Sequence, residues 1–595
     1  MKKKIIRKIN FNLVAIFLFF LFGFSIRLYS QNQPENSKDK DLEMVKLNYF
    51  ASDVETISFQ MLKDFPFRGE SHEYYRLFNS AVIQDFRGTD FIHIRGSRND
   101  EIGYSFEGVD VRSAYTGRNL VRFIPEALER ISLRKSPDAS TGNAVAYIQH
   151  QLRQPSKKIQ FTLKTESDRF TSIYNDRFGT YSYGYANYLF MGEGKIFIDN
   201  LRFFAAFEND NFDDHYRKFW EGFKIGGPEM PLVVLSYYPK YLEIPLQDFV
   251  GTDEILVRPG NIPTAESNRY TFNGLFSGNF KPFSVRVIGA FNRKKLQKND
   301  IPIRHIFNSE HVPEHKQQAS LLSFQGEYST NNNFKIHFQY DILRSNNKTY
   351  DPVFKDELAL YKDSVSTMLI HFFPFSRPGK IITYYSKSEE DYSGITGYIQ
   401  KKIGHHQLVL GSLSQRRSLR HFKTRTLGDY YVKYGKWLEE YGIPFGSDNS
   451  EHQILIRDWL LDDVFGYDVF GRKINKGDNV NEAPGYPSMV SFYFEDRYSN
   501  SESYLNFGIR YDTFSNGARI LKQPLYYSES YYNNIPDSIM KAAPYRSYIS
   551  PRINGTFVVN DNCAIYFNYG KYVQMPKLQD VYANRGYLTN QFYGG

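Results

Sequence analysis

In the stretch Leu505-Asn506-Phe507-Gly508-Ile509-Arg510-Tyr511-Asp512-Thr513-Phe514, every second residue is apolar. Read as a strand, it puts Leu505, Phe507, Ile509 and Tyr511 on one face and Asn506, Gly508, Arg510 and Asp512 on the other. One face suits lipid, the other water. Phe334, Ile336, Phe338 and Tyr340 alternate in the same way with Lys335, His337, Gln339 and Asp341, and Cys563, Ile565, Phe567 and Tyr569 with Ala564, Tyr566, Asn568 and Gly570. Backbone groups in lipid must pair internally, so such strands close into an antiparallel barrel. On this phase, arginine is costly at Phe507 or Ile509 and cheap at Asn506 or Gly508.

A soluble sandwich would alternate too, so the connections decide. Tight links fall at Glu193–Gly194, Lys281–Pro282, Asn331–Asn333, Gly404–His406, Asn500–Ser501 and Asn560–Asn562, all turn chemistry. Between them lie long segments near 209–267, 293–317, 346–390, 417–487 and 515–546. Compact soluble domains rarely hold such loops, whereas outer-membrane barrels alternate short periplasmic turns with long extracellular loops. Fourteen strands are expected, near 157–166, 180–192, 197–208, 267–280, 282–293, 318–330, 333–345, 391–403, 406–416, 488–498, 503–514, 547–559 and 562–574, with a further pairing element around 380–386.

Met1 to Asn10 carries five positive charges and no acid, and the apolar run Phe11 to Ile26 is shorter than the ~20 residues a spanning helix needs. Residues 1–30 therefore read as a signal peptide, cleaved after Ser30. Six positive charges lie in it, so the formal +9 falls to +3 in the mature chain, too little for a nucleic-acid partner. The single cysteine, Cys563, forms no internal disulfide. Tyr 47 and Phe 51 against Trp 3 supply rings for interfacial girdles. The mean hydropathy of −0.51 does not oppose a barrel, because lumen faces and wet loops dominate such an average.

Residues 31–52 are polar and flexible in composition, and 53–152 read as a small α+β domain ahead of the barrel at 153–595. In it, Ile57–Phe65 is a helix candidate. Phe91–Ile94 and Tyr104–Phe106 are strand-like runs in a hairpin, with a turn at Glu107–Gly108. Pro125 opens a short helix to Arg130, followed by strands at Ile131–Leu133 and Ala144–His150.

At these residues the chain resembles the plug domain of TonB-dependent outer-membrane transporters. The family's Ile-Arg-Gly loop corresponds to Ile94-Arg95-Gly96 and its Asp-Gly turn to Glu107-Gly108-Val109. Its Ile-Pro and Glu-Arg-Ile pieces correspond to Ile124-Pro125 and Glu129-Arg130-Ile131, and its Gly-Pro and Tyr-Gly to Ser136-Pro137 and Thr141-Gly142. Glu107, Ser136 and Thr141 depart from the family pattern, and Ser136 needs another backbone conformation wherever the family's Gly uses positive φ. GIRYDTF (508–514), GYDVFGRKI (466–474) and YVQMPKLQDVYAN (572–584) resemble one branch of the family. The resemblance implies an all-β transmembrane barrel with about 14 strands present of an expected 22, so the sequence reads as truncated or as a decayed gene product.

It also implies an outer-membrane receptor that takes up a scarce, large ligand, such as a ferric chelate, a corrinoid, a glycan or a peptide. A TonB-like coupling protein of the inner membrane would pull on the plug, through a segment placed at Leu42 to Leu47, with Leu42, Met44, Val45 and Leu47 adding as a strand to the partner. Plug arginines Arg95, Arg130 and Arg134 are expected to pair with barrel glutamates. The alternative classes are a non-transporting surface binder or adhesin, and a non-functional fragment.

Enzyme motifs are absent from the sequence, and no cofactor is expected. His311 and His315 are separated by Pro313, which forbids the helix that would make them chelators, and His405 and His406 point apart in a turn. Asp210, Asp213 and Asp214, and Asp458, Asp462, Asp463 and Asp468, could hold Ca²⁺ through oxygen ligands, but their spacing fits no calcium-loop template, which favours solvated loop acids. Arg416, Arg417, Arg420, Lys423 and Arg425 sit where a strand leaves the membrane, as partners for lipid or lipopolysaccharide phosphates or as a solvated loop base. A surface lipoprotein is a further candidate partner.

Overall fold

A computed structural model describes residues 54–64, 74–86, 89–168, 183–213, 223–226, 256–259, 265–297, 311–330, 333–358, 385–424, 442, 448–478, 481–522, 540–560 and 563–582. The plug holds β1 (Val54–Ser58), α1 (Phe59–Asp64), β2 (Ala81–Phe86), β3 (Thr89–Ile94), β4 (Ile102–Phe106), β5 (Val109–Asp110), β6 (Leu128–Arg134) and β7 (Ala146–Leu152). Five of these form a mixed sheet in the order β1-β6-β7-β4-β5, parallel only between β4 and β7. β2 and β3 make a separate ribbon. Phe91–Ile94 therefore pairs inside that ribbon, and the hairpin closed at Glu107–Gly108 joins β4 to β5 instead. Glu107 (φ 50°) and Gly108 (φ 86°) both take the left-handed conformation that a two-residue hairpin turn requires. Pro125 starts only a 3₁₀ turn, Pro125–Ala127, because the β6 ladder already begins at Leu128.

The remaining elements are β8 (Gln160–Ser167), β9 (Ala186–Ile196), β10 (Ile198–Phe212), β11 (Phe223–Gly226), β12 (Leu256–Pro259), β13 (Ser267–Phe280), β14 (Phe283–Gln297), β15 (Glu314–Thr330) and β16 (Phe334–Tyr350). They continue with β17 (Ser386–Ile403), β18 (His406–Thr424), α2 (Ser450–Leu460), β19 (Leu461–Phe465), β20 (Ser488–Ser499), β21 (Ser503–Ser515), β22 (Arg519–Leu521), β23 (Met540–Ala542), β24 (Arg546–Asn560) and β25 (Cys563–Gly570). One 14-stranded antiparallel sheet runs from β25 to β8. Its fourteenth member is not the element expected around 380–386, of which 380–384 lie outside the described residues and Ser386 opens β17. It is β19, held against the outer end of β18 by pairing, not by any alternation of its own.

Strands also outrun their sequence patterns at the long-connection end. β16 reaches Tyr350, β17 starts at Ser386 and β18 ends at Thr424. There the outward positions are Lys348, Lys387 and Arg420, so the ladder continues where the lipid face has stopped.

The phase of the barrel is as the alternation requires. Phe507 and Ile509 are 49% and 40% exposed on the outside, while Asn506, Arg510 and Asp512 are buried inside. Arginine at Phe507 or Ile509 should cost about 2–4 kcal/mol near the midplane, measured by folding into lipid vesicles; no loss at either position would refute the phase. The lumen, however, is plug rather than water. A Cβ on Gly508 would lie 2.9 Å from the Ala139 Cβ, so Gly508→Arg should dislodge the plug instead of being tolerated.

The plug core is continuous with the inward faces of Leu189, Phe204, Leu275, Ile288, Leu321 and Leu343. Each such side chain contributes about 1.5–3 kcal/mol by leaving water. The facing wall, β18 to β25, is instead lined by Arg417, Glu495, Arg510, Asp512 and Arg552, all buried. The plug is greased on one flank and clamped on the other.

Candidate ligand-facing site and plug seal

At the long-connection end the plug presents a small closed loop between β5 and the 3₁₀ turn. Ser113 donates its N–H to the Arg118 carbonyl (2.8 Å), Gly117 donates to Ser113 (3.0 Å), and the Ser113 hydroxyl accepts from Tyr115 N and Thr116 N. The base of this loop is held to the wall by the carboxylate of Glu390 of β17. It accepts from Ser113 Oγ at 2.7 Å, from Ala114 N at 2.9 Å and from Arg417 Nη1 at 2.5 Å. Arg417 also donates to the Arg112 carbonyl (2.8 Å) and to Asp110 (3.0 Å).

Above this, Tyr115 donates to Asp463 (2.8 Å) with its ring against His421 and Phe465. The segment after β25 lies across the same loop: Leu578 N donates to Ala114 O (2.8 Å), Gln579 N to Tyr115 O (3.0 Å) and Gln574 Nε2 to Asp100 O (2.8 Å). Leu578 is fully buried with Leu419 and Phe465.

Burial raises the Asp463 carboxyl to about 6, against the opposing pull of the Tyr115 hydroxyl. Its ordinary value is near 3.9, so the closed form binds a proton that the open form releases. The closed packing around Asp463 is most stable below about pH 4 and loses stability as pH rises through about 6, although the Tyr115 hydroxyl bond itself favours the ionised carboxylate. The protection factors of Ala114 and Tyr115, which remove the intrinsic base-catalysed rise in amide exchange, should therefore fall between those values, and Asp463→Asn should abolish that fall. Persistence of the dependence in the variant would place its origin elsewhere.

Deeper in the lumen, Glu107 accepts from Arg286 Nη2 (2.7 Å), and its carbonyl accepts from Gln325 (2.8 Å), with Gly108 facing Gln339. The loop Ser136–Asn143 meets the clamped flank. Arg552 Nη1 donates to the carbonyls of Pro137 (3.0 Å), Asp138 (2.7 Å) and Gly142 (2.5 Å), and Arg510 to that of Ala139 (2.8 Å). Asn506 donates to Asp138, Asn143 to Asp512 and Ser140 N to Glu495. Gly142 takes φ 140°, and a Cβ there would collide with the Tyr147 ring.

Among the described residues the expected plug arginines make no pairs with barrel glutamates. Arg95 donates to Ser136 Oγ (3.2 Å), Arg130 to Gln151 (2.5 Å) and Arg134 to Asp138 (2.7 Å), all inside the plug. The polarity is mostly reversed: wall arginines reach plug acids and carbonyls, and the plug arginine that faces wall acids is Arg122, 3.8 Å from Glu208 and 3.6 Å from Asp210. Gly96 (φ 75°) shares the left-handed turn with Arg95 (φ 53°), and Glu129 is exposed at a register shift in β6. Ser136 is absent from the positive-φ positions. Its buried hydroxyl instead gathers Arg95, Tyr566 and Asn568. Leu42, Met44, Val45 and Leu47 lie outside the described residues.

The arginine cluster read for lipid phosphates is dispersed. Arg417 faces the lumen, Arg416 stacks on Tyr486, Arg420 donates to Asn475, Lys423 pairs with Asp462, and Arg425 lies outside the described residues. The histidines have separate partners, His311 with Asp351, His315 with Thr349, His405 with Ser499 and His406 with Asp496. Among the acids, Asp210 faces Arg269, and Asp468 accepts from Phe470 N and Arg472 N; Asp214 and the Asp458 side chain lie outside the described residues. Among the described residues no three or more His, Cys, Asp or Glu side chains are grouped to hold a metal ion.

No family model matches the chain, and no curated protein does. Solved structures do. A variant of the ferric enterobactin receptor PfeA from Pseudomonas aeruginosa matches with TM-score 0.53 at 12% identity, over 90% of this chain and 63% of its own. The copper transporter OprC matches with TM-score 0.52 at 8% identity, over 87% and 64%. BauA, the ferric preacinetobactin receptor of Acinetobacter baumannii, matches with TM-score 0.51 at 10% identity, over 87% and 64%. This chain thus spans under two thirds of their length. These neighbours are a transporter and two receptors, not enzymes. The fold is that of the TonB-dependent outer-membrane receptors, an antiparallel barrel of the outer membrane around a plug.

Proposed function

We propose that this outer-membrane barrel, built on the TonB-dependent receptor fold, is a receptor that actively takes up a scarce ligand too large for passive pores. The plug's attachment carries this reading. At the apex, the Glu107 turn and the Ser136–Asn143 loop, buried charged or multiply bonded contacts tie it to the wall. Such contacts hold the plug in the lumen, and on this reading the work of releasing it comes from outside the barrel. An inner-membrane coupling protein supplies it by pulling on the chain ahead of β1.

The pull enters at Leu42 to Leu47, where Leu42, Met44, Val45 and Leu47 add as a strand to the partner's exposed sheet edge and main-chain hydrogen bonds bear the load. Proline removes a donor and blocks strand addition without changing charge. Val45→Pro should abolish growth on ferric chelates supplied as the sole iron source while surface binding of the same chelates stays at the wild-type level. Metal chelates are the first class to test, since three structural neighbours are named for copper, ferric enterobactin and ferric preacinetobactin. Uptake that survives the change, or surface binding that is lost with it, would mean that the coupling segment lies elsewhere or does not exist.

A further inference from the structure

The wall holds the plug unevenly around its circumference. Along β20, β21 and β24 the wall side chains spend their hydrogen bonds on the plug: Arg510 and Arg552 on loop carbonyls, Asn506 on Asp138, and Glu495 on Ser140 N. Against β9, β10 and β13 the contact in mid-lumen is apolar, with Leu189, Phe204 and Leu275 in one buried cluster with the plug's Val121, Phe123 and Ile124. Apolar contact has no direction, so it resists separation only through the area it loses.

Above that patch the register sets Asp210 opposite Asn187 and Glu208 opposite Thr271, all four buried. Their hydrogen bonds run within the wall, from Asn187 Nδ2 to Glu208 Oε1 (2.9 Å) and from Arg269 Nη1 to Asp210 (3.4 Å). Glu208 Oε2, Asp210 Oδ1 and Thr271 Oγ1 make no hydrogen bond with the plug, and the Arg122 guanidinium stands 3.8 and 3.6 Å from the two acids. The short bond across this seam is Ile124 N to Asn273 Oδ1, at 2.8 Å. Parting the plug here keeps the wall's own bonds and gives its spare oxygens water, whereas parting it from Arg510 and Arg552 strips bonds already made. The seam also lies over the chain that is pulled. β1 runs straight into α1, which packs on the 3₁₀ turn Pro125–Ala127, and the Arg153 guanidinium sits 4.7 Å from the Phe59 ring of α1 and 5.9 Å from the Phe204 ring of β10. Withdrawing β1 and α1 therefore uncovers the short-turn end of the β10 contact.

We infer that the passage opens between the plug and the inner face of β9, β10 and β13, entered past Glu208 and Asp210 and left past Phe204, while the Ser136–Asn143 loop stays clamped to β20, β21 and β24. The route is the one a transported ligand takes, so it rests on the uptake reading. Its test needs neither ligand nor coupling protein, and a negative uptake result leaves the outcome of that test standing.

Thr271 and Ser550 form a matched pair of reporters, one on each flank. Both face the lumen, they are 1% and 0% exposed, and neither hydroxyl is hydrogen-bonded, so cysteine replaces each without breaking a contact. The full chain carrying Cys563→Ser and either Thr271→Cys or Ser550→Cys is folded in lipid vesicles and treated with a small uncharged methanethiosulfonate. The reaction runs in urea too dilute to unfold the wall, as heat-modifiable mobility reports, and each rate is divided by that of the same variant fully unfolded. Thr271→Cys should react about tenfold faster than Ser550→Cys or more, because local opening exposes the weaker flank first. A second pair, Asn187→Cys and Asn554→Cys, carries the same expectation where either reporter does not fold. Equal rates, or a faster Ser550→Cys, would overturn the route. So would the absence of reaction at Thr271→Cys before the wall unfolds, since the seam would then be no weaker than the barrel.

Discussion

Arg552→Ala should unseat the plug while leaving the wall folded. Its guanidinium is 2% exposed and caps three plug carbonyls with one nitrogen and Asn143 Oδ1 with the other. Truncation orphans the Pro137 and Gly142 carbonyls and Asn143 Oδ1, while the Asp138 carbonyl keeps Thr141 N at 3.1 Å, in a site closed by Tyr572, which stacks 4.5 Å from the guanidinium. Each buried acceptor left without a partner costs about 1–3 kcal/mol. Water entering the vacated volume recovers part, so the net loss of docking energy should be about 3–5 kcal/mol, at the scale of removing one partner from a buried charged contact. Arg552→Lys should fail almost as badly, because an ammonium cannot reproduce a planar fork spread over several carbonyls. The readouts are entry of a small hydrophilic antibiotic through the lumen and protease cutting within 136–143, with heat-modifiable mobility as the control on the wall. Antibiotic entry at the wild-type level would show that the other contacts suffice and that Arg552 is no clamp.

What made the wall legible was its period. Leu505 to Phe514 reports its own two faces, because lipid on one side forces every second residue and a one-residue slip would reverse all of them. Where that external constraint ends, the signal ends with it: Ser386 to Glu390 and Ser418 to Thr424 are strand by pairing alone. β19 shows the same limit, since Leu461–Phe465 becomes a strand only because the outer end of β18 offers it an edge. The plug turn at Glu107–Gly108 was readable for a local reason, the left-handed geometry such a turn needs.

The seal was not readable. Ser113 and Glu390 are 277 residues apart, and Arg552 and Gly142 are 410 apart, so no window of sequence contains both ends of either contact. A usable signal was nevertheless present. Arg510 and Asp512 sit two apart at lumenal positions of a membrane strand, and full-length charges there must meet either a water channel or a partner. Taking the lumen for water hid the second option, and with it the reversed polarity of the plug contacts.

Glu390→Ala is expected to be the most damaging single change at the ligand-facing end. The carboxylate is 6% exposed and Arg417 5%, so the deletion strands a buried guanidinium whose remaining acid, Asp110, is itself partly open to solvent. Removing one member of such a pair costs about 3–5 kcal/mol, whereas removing both is often close to neutral. Glu390→Ala with Arg417→Ala should therefore be less harmful than Glu390→Ala alone, a coupling that a double-mutant cycle reads directly. The rescue has a limit set by geometry. Glu390 also receives Ser113 Oγ and Ala114 N, and those two donors stay unsatisfied in the double variant. Stability should thus return further than the closed apical loop does. Protease sensitivity near Ala114 and Tyr115 should stay raised in the double variant after its thermal midpoint has recovered. A cycle with no coupling would mean that Glu390 acts on the loop alone and that Arg417 is held by Asp110 and the Arg112 carbonyl without it.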